Sequence, residues 1–280
     1  MKYANELFNS DWSTKVNWNA VKIAVLRRTR ETCYLHCINE KDLDIIQPSS
    51  LIGLEEEIAK LDSNTLSFLN NKYASNALLW GARGCGKSSV VKAVLGKYIY
   101  NQKTNLRVLE VESKDIDIFP IIIDYLRGFA DYRFIVFCDD MAFFPDDYSY
   151  RSLKSCLEGS FEKKPTNVII YATSNLRRIM KEDEKSKQDY EYTQETLSLA
   201  DRFPLNIGFY PIGTKEYLSI LESIITKSCQ DHDMENLEET SNKIFHQIKQ
   251  DAINFATQIG NKSPRSAHDF WNLYKTNILN

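Results

Sequence analysis

No stretch of this chain is apolar for long enough to cross a bilayer. The longest apolar run, Ile116–Leu126, is broken by Asp117 and Asp124. Met1–Ser13 lacks the apolar core of a secretory signal, so the chain reads as cytoplasmic, with no membrane among its partners. An excess of one charge is also missing: 35 Lys and Arg stand against 38 Asp and Glu, for a net charge of -3. That excludes a global basic field drawing the protein onto nucleic acid, although not a local basic face. There is no internal repeat, no low-complexity tract and no helix-turn-helix signature. The six cysteines are Cys33, Cys37, Cys85, Cys138, Cys156 and Cys229. Free thiols are the default for a cytosolic chain. Cys33 and Cys37 flank His36, but no second Cys/His pair stands at metal-binding spacing, so no zinc site is expected there.

What is present is an ordinary globular composition, 43% hydrophobic over 280 residues, enough for one large domain or two smaller ones. Residues 1–48 are the least readable. Ala20–Leu26 and Thr32–Ile38 fit two short strands, and Val16–Leu26 fits a helix almost as well. A helix is expected over Glu55–Leu69. Strands and helices then alternate, as in a parallel sheet covered on both faces. The expected strands are Ala77–Trp80, Leu106–Val111, Phe134–Cys138, Val168–Ala172 and Leu205–Phe209. The helices between them are Ser88–Tyr98, Asp117–Gly128, with Asp115 or Asp117 as its cap, and Tyr150–Leu157, closed by Gly159. Lys181–Gln194 reads as a polar surface loop. From Thr214 onward strand signals stop, and Tyr217–Ile225, Ile244–Ile259 and Ala267–Ile278 carry helical apolar spacing. The division expected is an extension over 1–48, an α/β unit over 49–212 and a helical unit over 213–280.

The chemistry centres on GARGCGKS, Gly81 to Ser88, which fits the P-loop pattern G-x-x-x-x-G-K-[ST]. Glycines let backbone amides turn toward anionic oxygens that side chains would obstruct. Lys87 can reach β- and γ-phosphates, and the Ser88 hydroxyl suits Mg²⁺. The motif lies between an apolar strand and a helix, whose N-terminus adds positive potential. A second strand ends in Asp139 and Asp140, the Walker B form: Asp139 to hold Mg²⁺ and Asp140 to polarise the attacking water. Thr173, Ser174 and Asn175 follow the next strand, and parallel strands deliver them to the same sheet edge. Arg202 precedes the last strand. Ser263 suits an N-cap and Pro264 the first helical turn, which also carries Arg265.

In this order the pieces resemble the AAA+ ATPases. GARGCGKSSVVKAVL, FIVFCDDMAF, SLKSCLEGSFEKKPTNVIIYATSN and LSLADRFPLNIGFYP look like a bacterial family of predicted AAA+ ATPases known as DUF815. The resemblance covers about residues 45–275. It implies a three-layer αβα P-loop NTPase domain with a parallel sheet and a C-terminal helical lid. It also implies ATP or ADP with Mg²⁺, hydrolysis of ATP, and a homo-oligomer. Gly81, Ala82, Arg83, Gly84, Cys85, Gly86, Lys87, Ser88 and Ser89 would bind the phosphates, with Ser88 and Asp139 on the metal. Asn175 would be sensor 1, Arg202 an arginine finger acting on a neighbouring subunit, and Arg265 sensor 2. Leu51, Ile52 and Gly53 would pack beside adenine.

Two departures stand out. Asp140 occupies the place of the usual Glu and is one methylene shorter, which predicts slow hydrolysis. Glu158 is a substitute acid of little weight. Lys262-Ser-Pro-Arg265 replaces Arg-Ser-Gly-Arg, which leaves open whether Lys262 or Arg265 faces the nucleotide. No aromatic-hydrophobic-glycine pore loop is present, so substrate threading is not supported. A nucleotide-gated switch and a nucleic-acid loader remain alternative readings, and the sequence names no protein client.

Overall fold

The computed structural model describes residues 16–30, 33–44, 46–100, 104–142, 152–154, 157, 163–175, 201–232 and 236–277. Seven strands form one sheet in the order β2-β1-β4-β5-β6-β3-β7. They are β1 (Ile23–Arg28), β2 (Cys33–Ile38), β3 (Ala77–Gly81), β4 (Leu106–Glu110), β5 (Arg133–Cys138), β6 (Val168–Ser174) and β7 (Leu205–Phe209). Among the described residues only the β1–β2 pair is antiparallel. The segment ahead of residue 49 therefore supplies a hairpin that extends the sheet, with β1 running parallel to β4. Of the two local readings of Ala20–Leu26, the strand is the one observed.

The central strands read as unbroken apolar runs because both faces are covered. Leu78, Phe134, Val136, Ile170 and Ala172 face one layer, packed with Phe119, Ile122 and Leu126 of α3 (Phe119–Arg127). Ala77, Leu79, Ile135, Phe137, Ile169 and Tyr171 face the other, packed with α1 (Glu55–Leu69) and α2 (Lys87–Ile99). Full burial of each such side chain contributes about 1.5–3 kcal/mol relative to exposure, so this sheet is a rigid platform. A separate apolar cluster builds the lid from α4 (Thr214–Asp231), α5 (Leu237–Gln258) and α6 (Pro264–Tyr274).

Asp115 and Asp117 do not cap the helix before β5. Residues Ser113–Ile118 form a 3-10 turn, and neither it nor α3 has a side-chain cap. Both carboxylates turn instead to Arg28 at the end of β1, whose Nη1 lies 2.7 Å from Asp117 Oδ1 and 3.7 Å from Asp115 Oδ1. The cap expected on α6 is present. Ser263 Oγ accepts from the Ser266 amide at 3.2 Å, and Ser266 Oγ accepts from the Ser263 amide at 3.0 Å. Of the helix expected over Tyr150–Leu157, residues 152–154 and 157 are helical. Gly159, Glu158, Cys156 and the Lys181–Gln194 loop lie outside the described residues. No helix among the described residues is long and apolar enough to cross a membrane.

Candidate functional site

The carboxyl ends of β3, β5 and β6 meet at one edge of the sheet, under the lid. A cavity of about 1020 Å³ opens there, lined by Arg83, Gly84, Gly86, Lys87, Ser88, Ser89, Asp139, Asp140, Thr173 and Asn175 from the α/β layer. The lid contributes Ile220, Ile224, Arg265 and Trp271, and the segment before α1 contributes Ile46, Leu51, Ile52 and Leu54. Leu51, Ile52, Ile220 and Ile224 give the lining an apolar part, and Lys227, Asp231, His232 and His268 add polar groups from the lid.

Lys87 is a buried cation, 7% exposed. Desolvation holds its pKa below the usual lysine value. Its ammonium offsets that cost by donating to Gly81 O at 2.9 Å, Ala82 O at 2.8 Å and Asn175 Oδ1 at 3.0 Å. The Ser88 hydroxyl donates to Asp139 Oδ1 at 2.6 Å. Asp139 Oδ1 also accepts from the Thr173 hydroxyl. Asp140 accepts from the Asn175 amide and lies 3.8 Å from the Arg83 guanidinium, a pair that is largely exposed and contributes little to stability. Two linked chains thus run across the site, Ser88–Asp139–Thr173 and Lys87–Asn175–Asp140–Arg83.

Thr173 has a larger part than its place in a Thr-Ser-Asn triplet suggests. It is 1% exposed, and its Oγ1 both donates to Asp139 and accepts from the Asp140 amide at 2.9 Å. Its carbonyl accepts from Met141 N at 2.7 Å. The turn carrying both carboxylates is therefore pinned to β6. The register made this legible, because the end of β5 must face the end of β6. Asp140 itself has φ 52°, a left-handed backbone that Asp tolerates better than most residues. The sequence does not show this second reason for a short side chain at that position.

Not every P-loop residue reaches the cavity. Gly81, Ala82 and Cys85 do not line it. Gly81 has φ 144°, and a Cβ there would stand 1.9 Å from Phe209 O, so this glycine lets β7 lie against β3. The carbonyls of Gly81 and Ala82 hold Lys87, and Cys85 is buried in the core, where desolvation raises its thiol pKa. Gly84, by contrast, faces the lid: a Cβ at its φ of 79° would stand 2.8 Å from Ser263 Oγ and 3.2 Å from Arg265 Cβ. The start of α6 rests on the loop itself.

That contact separates the two lid cations. Arg265 lines the cavity, whereas Lys262 points away and donates to Thr214 Oγ1 at 2.9 Å. Gly53 does not line the cavity either. It turns the chain with φ 75° between Ile52, which does, and α1. Arg202 is elsewhere. It stands at the amino end of β7, where Leu205 is in register with Ala77, the first residue of β3. It lines a second cavity of about 770 Å³ at the opposite sheet edge. Within one chain it does not join Lys87. In β2, Cys33 and Cys37 share one strand face and His36 takes the other, by the alternation of a strand. Among the described residues no cluster of three or more metal-ligating side chains occurs.

The family model described as "Protein of unknown function (DUF815)" matches residues 19–278. The chain belongs to this family. No curated protein matches it. The solved structures similar to this DUF815 chain include Thermotoga maritima RuvB, titled a Holliday junction branch migration motor. It has 14% identity over 81% of this chain and 71% of that one, with a TM-score of 0.43. Two point variants of the same RuvB are also similar. One has 12% identity, 81% and 71% coverage and a TM-score of 0.46, and the other 16%, 82% and 74%, and 0.44. The DUF815 chain has a seven-stranded, mostly parallel sheet covered by helices on both faces, followed by a helical C-terminal unit.

Proposed function

We propose that this protein binds ATP with Mg²⁺ in the larger cavity and hydrolyses it slowly, as a homo-oligomer. The observation that carries the reading is the convergence of Lys87, Ser88, Asp139, Asp140 and Asn175 on one sheet edge beneath Arg265. In this reading the α/β unit spans 49–212, joined at its edge by the β1–β2 hairpin, and the lid spans 213–280.

The donor set fits a triphosphate. Gly84 and Gly86 line the cavity and lead into α2, whose first turn carries Ser89, and there backbone amides and the helix dipole favour anions. Lys87 is preorganised and exchanges protein oxygens for phosphate oxygens. Ser88 and Asp139, now bonded to each other, are the hard oxygen ligands that Mg²⁺ prefers and would hold the ion. Bound there, Mg²⁺ neutralises charge developing on the phosphates. Asn175 and Asp140 orient the attacking water. Arg265 would contact phosphate from the lid, and Leu51, Ile52, Ile220 and Ile224 are the apolar lining residues that would pack on the purine. Such positioning and electrostatic stabilisation supply most of the catalysis.

Phosphate release by the purified protein, measured with light scattering and with or without single-stranded DNA, tests the reading. Slow release that requires Mg²⁺, no stimulation by DNA and growth of the particle with ATP are expected. Binding without any release supports the second reading, a nucleotide-gated switch, which the short Asp140 favours. Stimulation by DNA supports the loader. Asp140→Glu is expected to raise turnover by extending the carboxylate toward the water, at a cost of up to about 1–2 kcal/mol in stability from the left-handed backbone. A fall in turnover shows instead that the turn and its Asn175 and Arg83 partners are built for Asp.

A further inference from the structure

We infer that Asn76 is a positioning residue for Arg202, holding the Arg202 loop on the two strands that carry the nucleotide site. The inference rests on the reading of Arg202 as a group that acts on a neighbour's nucleotide.

Asn76 immediately precedes β3 and is half-buried. Its side chain bridges two separate segments. Nδ2 donates to Arg202 O at 3.2 Å, and Oδ1 accepts from Ile170 N at 2.9 Å. The partners fix the orientation of the amide, because a backbone carbonyl can only accept and a backbone N–H can only donate. Its own carbonyl accepts from Leu205 N at 3.3 Å. One residue thus ties together the entrance to β3, the middle of β6 and both sides of the Arg202–Leu205 turn.

Those strands lead to the site at their other ends. β3 ends in Gly81, and β6 ends beside Thr173 and Asn175. Asn76 lines the second cavity with Asp201, Arg202 and Pro204, so it stands at the base of the same loop that presents the guanidinium. A backbone carbonyl clamped at the arginine itself fixes where the side chain starts. That is the element most needed if a long, rotamer-rich side chain must reach across to another subunit. Misplacing a reacting group by about 1 Å can cost about 100-fold in rate.

The test uses the full-length variants Asn76→Ala, Asn76→Asp and Arg202→Ala, and the double variant Asn76→Ala/Arg202→Ala. Asn76→Asp keeps the acceptor for Ile170 but cannot donate to the Arg202 carbonyl, so it releases the loop while keeping the sheet contact. Turnover in both Asn76 variants is expected to fall about 10- to 100-fold, with ATP affinity within about twofold of wild type and the melting temperature of Asn76→Asp nearly unchanged. The double variant is expected to be no slower than Arg202→Ala, because two residues that act as one unit are not additive. Mixing Asn76→Asp with Lys87→Ala protein is expected to restore turnover, since the second protein donates an ordered Arg202. Unchanged turnover in Arg202→Ala overturns the Arg202 reading and the role of Asn76 together. A slow Arg202→Ala beside wild-type turnover in both Asn76 variants, or additive losses in the double variant, overturns the role of Asn76 alone.

Discussion

Arg202→Ala is expected to lower turnover by about 10³-fold while leaving ATP affinity within about twofold of wild type. An arginine finger contributes about 10³–10⁵ in rate in phosphoryl-transfer systems, and a slow site realises the lower end. The structure excludes help within the same chain. Arg202 lies beside the amino end of β3 and the P-loop follows its carboxyl end. Five residues of strand separate them, roughly 17 Å at about 3.3 Å per residue. A guanidinium that acts on nucleotide from this place acts on that of another subunit, and in this reading turnover per subunit should rise with protein concentration. Mixing Arg202→Ala with Lys87→Ala protein should restore activity, because one partner keeps an intact nucleotide site and the other an intact arginine. Turnover that is independent of concentration, with no recovery on mixing, shows that Arg202 is structural and removes the case for an obligatory oligomer.

Lys87→Ala is expected to weaken ATP binding by tenfold or more. Each charge-assisted contact to phosphate contributes roughly 1.5–3 kcal/mol, and a residue that reaches two phosphates loses at least one such contact. The free protein pays an additional penalty. Gly81 O, Ala82 O and Asn175 Oδ1 all lose their shared donor, which loosens both the loop and the amide that steadies Asp140. Affinity and turnover should fall together. Titration calorimetry that finds equal ATP affinity in wild type and variant removes Lys87 from the site.

The sheet was legible because its central strands are covered on both faces, which leaves uninterrupted apolar runs such as Phe134–Cys138. Parallel order then predicted that Asp139, Asp140 and Asn175 would share an edge with Lys87. Where the local sequence misled or left a choice open, a distant residue decides. Asp115 and Asp117 look like caps locally, yet Arg28 from the first strand holds both. Residues 20–26 fit a helix almost as well as a strand until β4 pairs with Ile23–Val25. Gly81 belongs to a phosphate-binding pattern, but its missing side chain makes room for β7. The contest between Lys262 and Arg265 could not be settled by spacing, because it depends on how α6 sits on Gly84.

The central claim is that this sheet edge is a magnesium-dependent ATP hydrolysis site. Release of inorganic phosphate by wild type and by Asp139→Ala, each with Mg²⁺ and again with excess chelator, tests it most directly. Asp139 shares its carboxylate between Ser88 and Thr173, the position from which it can hold the ion. The account predicts slow release by wild type with Mg²⁺ and none in the other three conditions. Equal release by Asp139→Ala, or release by wild type that survives the chelator, contradicts it.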